Sequence, residues 1–306
     1  MNDRLEFWEK PKAKEVYMLV GWRQWADAGS ISSVLPDYLV ERFKGSKIGE
    51  LKPKDFYMFQ IPGTHHFMRP TIKLKDGYRQ SLEVNRNEYY YIGDDEKGLV
   101  VFLGDEPHLN VEAYADAFFD AADYLGVKRI VVVGGVYGSM PYDKARDVSC
   151  VYSLKYMKHE LDRYAVRYSN YEGGATIGSY LLDAAEKREV EFMVMYAFVP
   201  AYDFAESSAL PNGIRIENDY KAWHDIMRRV NHMFGLSLDL EHLRGRSDEL
   251  VTFMDAKVRE LEKEMPQLKI REYLAQIDEQ FTERYFSPLG DVWDQGLQDL
   301  FGDDGD

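Results

Sequence analysis

Short apolar runs alternate with amphipathic stretches along most of this chain, and that alternation admits few folds. Val16 to Gly21 (VYMLVG) has strand length and is closed by glycine; apolar residues then recur at Ile31, Val34, Leu35, Tyr38, Leu39 and Phe43, a helical spacing. Asp27 or Ser30 is placed to cap that helix, and Pro36 either kinks it or marks a later start. The same grammar returns in Leu99 to Leu103, a turn at Gly104-Asp105-Glu106-Pro107, and a helical stripe from Val111 to Leu125. Arg129 to Gly134 follows as a further strand, and Ala175 to Lys187 precedes another at Val190 to Phe198. Strands and helices in this order predict an α/β sheet covered on both faces. Between the first two units, Thr71 to Lys75, Tyr78 to Val84 and Tyr89 to Ile92 read as antiparallel ribbons, so the expected sheet is mixed. Tyr78, Tyr89, Tyr90 and Tyr91 then form a contact surface or simply cover one face of the sheet.

After Ser247 the chain turns charge-rich and helical. Leu250, Met254, Val258, Leu261 and Met265 keep one stripe; Pro266 interrupts it, and Ile270, Tyr273, Leu274, Ile277, Phe281 and Tyr285 resume it. Such helices must pack on the core, on each other or on another subunit. The organisation expected is a core over residues 1–235, a helical extension over 236–286 and an acidic tail over 287–306. That tail holds six aspartates and no lysine or arginine, yet Trp293, Leu297, Leu300 and Phe301 have the spacing with which a short helix docks into a groove.

Charge and composition remove several function classes. With 38 Lys and Arg against 53 Asp and Glu, the chain carries −15, and its basic residues cluster no further than pairs such as Arg228-Arg229, so nucleic acid is not an expected partner. The longest apolar run, Phe192 to Ala201, is too short to span a membrane, and the polar start, Met1 to Lys14, has no apolar run to serve as a signal peptide. One cysteine, Cys150, in a strand-like stretch reads as a small buried hydrophobe of a cytoplasmic protein.

Reactive signatures are few. No Gly-Lys pair exists to build a P-loop, and G-x-G-x-x-G is absent. Ser139 lacks the flanking glycines of a nucleophile elbow, and neither His65-His66 nor His224 with His232 has zinc-ligand spacing; no metal and no cofactor are expected. Gly134-Gly135-Val136-Tyr137-Gly138 after a strand, and Glu172-Gly173-Gly174 before a helix, serve either an approaching ligand or local turn and cap geometry. What remains is a set of carboxylates at strand ends. Trp22, Asp27, Asp105, Glu106, Tyr137 and Glu172 would line one crevice at the carboxyl edge of a parallel sheet, where open α/β sheets bind ligands.

Gly21-Trp22-Arg23-Gln24-Trp25-Ala26-Asp27-Ala28-Gly29, then Phe102 to Pro107, Val131 to Gly135 and Tyr171 to Gly174, in this order and spacing, resemble the proteasome assembly chaperone 2 family over approximately residues 14–235. The resemblance implies a three-layer α/β/α sandwich with a mixed sheet, nucleoside-phosphorylase-like, here with C-terminal helices of the actinobacterial type. It also implies a protein-interaction or assembly module without catalytic activity; the rival is a small-ligand protein or enzyme using the edge carboxylates. A homo-oligomer, cyclic rather than open, and a further protein partner are expected. Docking members of the family end in a hydrophobic residue, a tyrosine and one more residue; this sequence ends Asp304-Gly305-Asp306, so docking by that terminal motif is not expected.

Overall fold

The computed structural model describes residues 2–60, 69–202 and 214–287. Its strands are β1 (Leu5–Phe7), β2 (Glu15–Arg23), β3 (Ser46–Leu51), β4 (Thr71–Lys75), β5 (Tyr78–Glu83), β6 (Asn87–Gly93), β7 (Lys97–Asp105), β8 (Val127–Gly138), β9 (Val148–Tyr152), β10 (Arg167–Tyr168), β11 (Glu191–Tyr202) and β12 (Ile214–Arg215). The helices are α1 (Leu35–Arg42), α2 (Val111–Leu125), α3 (Met157–Leu161), α4 (Ile177–Lys187), α5 (Tyr220–Met233), α6 (Glu241–Glu264) and α7 (Ile270–Gln280). One sheet runs β1-β3-β6-β7-β2-β8-β11-β9-β10, with β12 beside β11. β7, β2, β8 and β11 are parallel neighbours at its centre. Antiparallel strands flank them, β6, β3 and β1 on one side and β9 on the other, so the sheet is mixed.

Successive residues of a strand point to opposite faces, and the central strands are apolar on both. Leu19, Val101, Val131 and Met193 pack with α1, α3, α5, α6 and α7; Met18, Val20, Val100, Phe102, Val132 and Val194 pack with α2 and α4. The result is a three-layer α/β/α sandwich. The late helices lie on the α5 side: Leu243, Met254, Val258 and Leu261 of α6 and Ile270 and Ile277 of α7 join the same core as Trp223 and Ile226. Trp293, Leu297, Leu300 and Phe301 lie outside the described residues.

Two elements differ from the sequence expectation. The helix foreseen over 28–43 is broken into a 3-10 turn, Ala28–Ser30, and α1, which begins at Leu35 with Pro36 in its first turn. Proline is tolerated there because the first-turn N–H has no helical acceptor to lose. The third ribbon, Tyr89 to Ile92, belongs to the main sheet as part of β6; Tyr89 is fully buried, and Tyr90 and Tyr91 are partly so. Only β4 and β5 stand apart, as a separate two-stranded sheet.

Candidate functional site

The loop after β2 crosses β8, and the loop after β7 meets the entrance of α4. Trp22 is the first residue whose expected role changes. Its indole is fully buried between Phe102 and Phe118, and its Nε1 donates to the Tyr114 hydroxyl (2.8 Å), so it pins α2 to the sheet and faces no ligand. Beyond it, residues 26–29 form a strap across the end of β8. The Gly135 N–H donates to the Ala26 carbonyl (2.9 Å), and a Cβ on Gly135 would stand 2.0 Å from the Ala28 carbonyl oxygen. Gly29, at φ +65°, turns the strap toward α5, where its carbonyl accepts from the Asp219 N–H (3.0 Å) and from Trp223 Nε1 (2.8 Å). Gly29 and Gly135 therefore serve chain crossing.

The carboxylates are engaged one by one. Asp27 closes its own turn, accepting from the Ser32 N–H (2.7 Å), the Ser33 N–H (3.0 Å) and the Ser33 hydroxyl. Burial holds its pKa above the ordinary value against the pull of those donors. Asp105 is buried, paired with Arg23 through Nε and through Nη2 (2.7 Å), and accepts from the Arg86 N–H (2.8 Å). Glu106 reaches across to α4, where its Oε1 accepts from the Ile177 N–H (2.9 Å). A helix N-terminus attracts anions, and here the chain's own carboxylate occupies that position. Glu172, expected to serve this helix, is instead exposed; Thr176 is the cap, its Oγ1 accepting from the Ser179 N–H (3.0 Å).

Burial also raises the pKa of Glu106. A raised folded-state value means that ionising Glu106 opposes folding. Its stabilising share is complete below the ordinary glutamate pKa and is lost as pH rises through the folded value. Glu106→Gln should remove this dependence. The stability of wild type relative to the variant is expected to grow on acidification from neutrality and to level off below pH 4.5, measured by urea unfolding at stepped pH. A difference independent of pH would refute the assignment.

Among the described residues, the cavities of note lie elsewhere on this edge. One of about 290 Å³ is lined by Arg23, Asn85, Asp105 and His108; another of about 530 Å³ lies over Ser139, Met140, Asp147, Arg167 and Phe198 under the end of α7. Asp27 and Glu106 line neither. Of the acids expected to line one crevice, Asp105 borders the smaller cavity, Asp27 and Glu106 are held by backbone N–H groups of a turn and of the α4 entrance, and Glu172 stands exposed. Residues the sequence did not single out take the space near Glu106, with the Tyr196 hydroxyl 2.6 Å from Thr176 Oγ1 and 2.9 Å from Ser179 Oγ. No group of three or more His, Cys, Asp or Glu among the described residues could hold a metal ion, and no described helix is long and apolar enough to cross a membrane. Cys150 is buried in β9, its thiol pKa pushed up to about 12 by desolvation.

Three aromatic side chains on this edge face solvent. Trp25, on the strap after β2, is 63% exposed; Tyr171, before α4, is 68% exposed; Tyr137, near the end of β8, is 49% exposed with the Arg215 guanidinium 4.9 Å from its ring centre.

The backbone has close counterparts among solved structures. A PAC2 family protein from Streptomyces avermitilis aligns at TM-score 0.67 and 23% identity, over 85% of this chain and 99% of that one. A proteasome-assembly chaperone homologue from Mycobacterium tuberculosis aligns at TM-score 0.66 and 18% identity, over 78% and 94%. An archaeal proteasome activator from Pyrococcus furiosus aligns at TM-score 0.53 and 18% identity, over 82% and 97%. No curated protein matches the chain. The model of the PAC2 family matches residues 22–258, from the buried Trp22 through the strap, the central sheet and most of α6. By that match, and by the fold it shares with these structures, the chain belongs to the PAC2 family.

Proposed function

We propose that this chain is an assembly-chaperone-like module that docks a protein partner at the carboxyl edge of its sheet and catalyses no reaction of its own. The observation that carries this reading is the exposure of Trp25, Tyr137 and Tyr171 on an edge where Asp27 and Glu106 are already engaged by backbone N–H groups of the chain. Tryptophan and tyrosine supply large rigid contact area and dominate the energetics of protein interfaces, whereas acid–base work needs a carboxylate free to meet substrate. Kinship with a proteasome-assembly chaperone homologue supports a partner of the multi-subunit kind, met in the cytoplasm.

The test is affinity capture of the tagged full chain from its native cytosol, with mass spectrometry of proteins and small molecules. Wild type is expected to retain a reproducible protein partner, and Trp25→Ala with Tyr171→Ala to weaken it at least tenfold, as loss of two interface aromatics would. Retention of a small molecule with no protein would overturn the reading. It would favour a ligand-binding protein, for which the cavity of about 530 Å³ beside the buried, half-unpartnered Asp147 carboxylate is the place to look.

A further inference from the structure

The last residue of β2, the segments that enter β4 and leave β5, and the loop after β7 enclose the cavity of about 290 Å³. Only Pro70 and Val84 among its lining residues are apolar, so whatever it holds is held by charge and hydrogen bonds. Its two acids already have partners. Asp105 accepts from Arg23 Nη2 (2.7 Å), from the Arg86 N–H (2.8 Å) and from Asn85 Nδ2 (3.3 Å), and Glu83 pairs with Lys73 (3.1 Å).

The donors are less fully used. Arg23 is half exposed, and it gives Nε and Nη2 to Asp105, while Nη1 has no hydrogen-bond partner among the described residues. Arg69 spends Nη2 on the Gln60 side chain and meets no carboxylate among the described residues; its guanidinium lies 4.9 Å from the Phe59 ring centre. His108 accepts from the Met58 N–H at Nδ1 (3.2 Å), which puts the ring proton on Nε2 and makes that nitrogen a donor. Burial holds the His108 pKa below its ordinary value, so this neutral donor persists at neutral pH. Two guanidiniums and an imidazole from three separate segments thus border one polar space, and one of the guanidiniums lacks a counter-ion.

We propose that this cavity binds the phosphate group of a small monoester, held by Arg23, Arg69 and His108. A phosphate turns three oxygens in three directions, which suits donors arriving from three segments, whereas a planar carboxylate is served by a single guanidinium fork. Ligand pockets run from roughly 300 to 1,000 Å³, and this one is at the small end, so the esterified group is small. The site uses none of Trp25, Tyr137 and Tyr171, to which partner docking is assigned.

Titration of glycerol 3-phosphate into the full chain, at constant pH and ionic strength and followed by the NMR signals of its seven histidine rings, tests the proposal. One ring signal, identified by its loss in His108→Gln, is expected to shift saturably. Arg69→Gln is expected to weaken binding at least tenfold, as loss of a charge-assisted contact would, with far-UV spectrum and melting temperature unchanged because Arg69 is exposed. Arg69→Lys, which keeps the charge and loses the fork, should recover part of the affinity. Acetate should bind at least tenfold more weakly than the monoester, and glycerol should not move the ring. A His108 signal that stays in place, an equal response to acetate, or an affinity indifferent to Arg69→Gln would overturn the proposal. Trp25→Ala with Tyr171→Ala should leave the titration as it is, and Arg69→Gln should leave the captured partner as it is, so failure of the docking reading and failure of this one are told apart.

Discussion

Replacing Asp219 by asparagine is expected to lower the stability of the chain by about 3–5 kcal/mol, a large part of the ~5–15 kcal/mol that holds a typical domain. Asp219 and Arg146 form an ion pair with no exposure on either side chain. Nε of Arg146 donates to Oδ2 (2.8 Å) and Nη2 to Oδ1 (3.3 Å), while Nη1 donates to the carbonyls of Tyr142 (2.9 Å) and Lys144 (3.0 Å). The same carboxylate caps α5 through the Ala222 N–H (3.0 Å). An isosteric amide keeps the shape and removes the charge, which leaves a guanidinium buried without its counter-ion, and that is the costly half of breaking a buried pair. Urea unfolding followed by far-UV circular dichroism reads the loss. The double change Arg146→Met with Asp219→Ser should recover part of it, because the uncompensated charge is gone and serine still caps the helix. A loss below 1 kcal/mol for Asp219→Asn would mean that the pair does not carry the burial described.

A second large effect is expected at Gly135. An alanine there would place its Cβ 2.0 Å from the backbone oxygen of Ala28 and 3.0 Å from Cδ1 of Ile31. Backbone cannot swing aside as a flexible side chain does, so the strap must lift from β8 and lose the Gly135–Ala26 hydrogen bond. Gly135→Ala should therefore destabilise by about 3 kcal/mol or more, at the upper end of overpacking changes. Gly245 supplies the control. It lies inside α6 with no atom within 4 Å of a built Cβ, so alanine there should be neutral or stabilise by up to about 1 kcal/mol through helix propensity. If both substitutions shift the urea midpoint alike, the strap does not cross β8 as described.

The central sheet was legible because its strands are buried on both faces: VYMLVG, LVVFL and the run after Arg129 could belong to nothing else once amphipathic stretches lay between them. The late helices were legible for the same reason, since a periodic apolar stripe needs a partner surface. The site was less so. Asp27 was read as a possible helix cap; its side chain caps neither the 3-10 turn nor α1 and accepts from the Ser32 and Ser33 N–H groups between them, while the anion for α4 comes from Glu106, 71 positions away, and not from Glu172 nearby. Sequence proximity favours the local carboxylate; chain folding brought the distant one to a better place. Arg146 and Asp219 went unnoticed because a buried ion pair 73 residues apart leaves no local pattern. The only local signal was an aspartate just before the amphipathic run of α5, and that announces a cap without naming an arginine.

The strap at Gly29 ties the two ends of the molecule together in time as well as in space. Its carbonyl receives the indole of Trp223, 194 residues later in the chain. At about 5–20 residues added per second, a ribosome needs roughly 10–40 s to supply that donor after Gly29 has been made. Until then the sheet face that α5, α6 and α7 will cover, with Leu19 and later Val101 and Val131 on it, has only α1 and α3 of this chain beside it. Nascent copies on one message therefore present apolar sheet to one another before the strap can be fastened, and the last third of the message sets how long that exposure lasts.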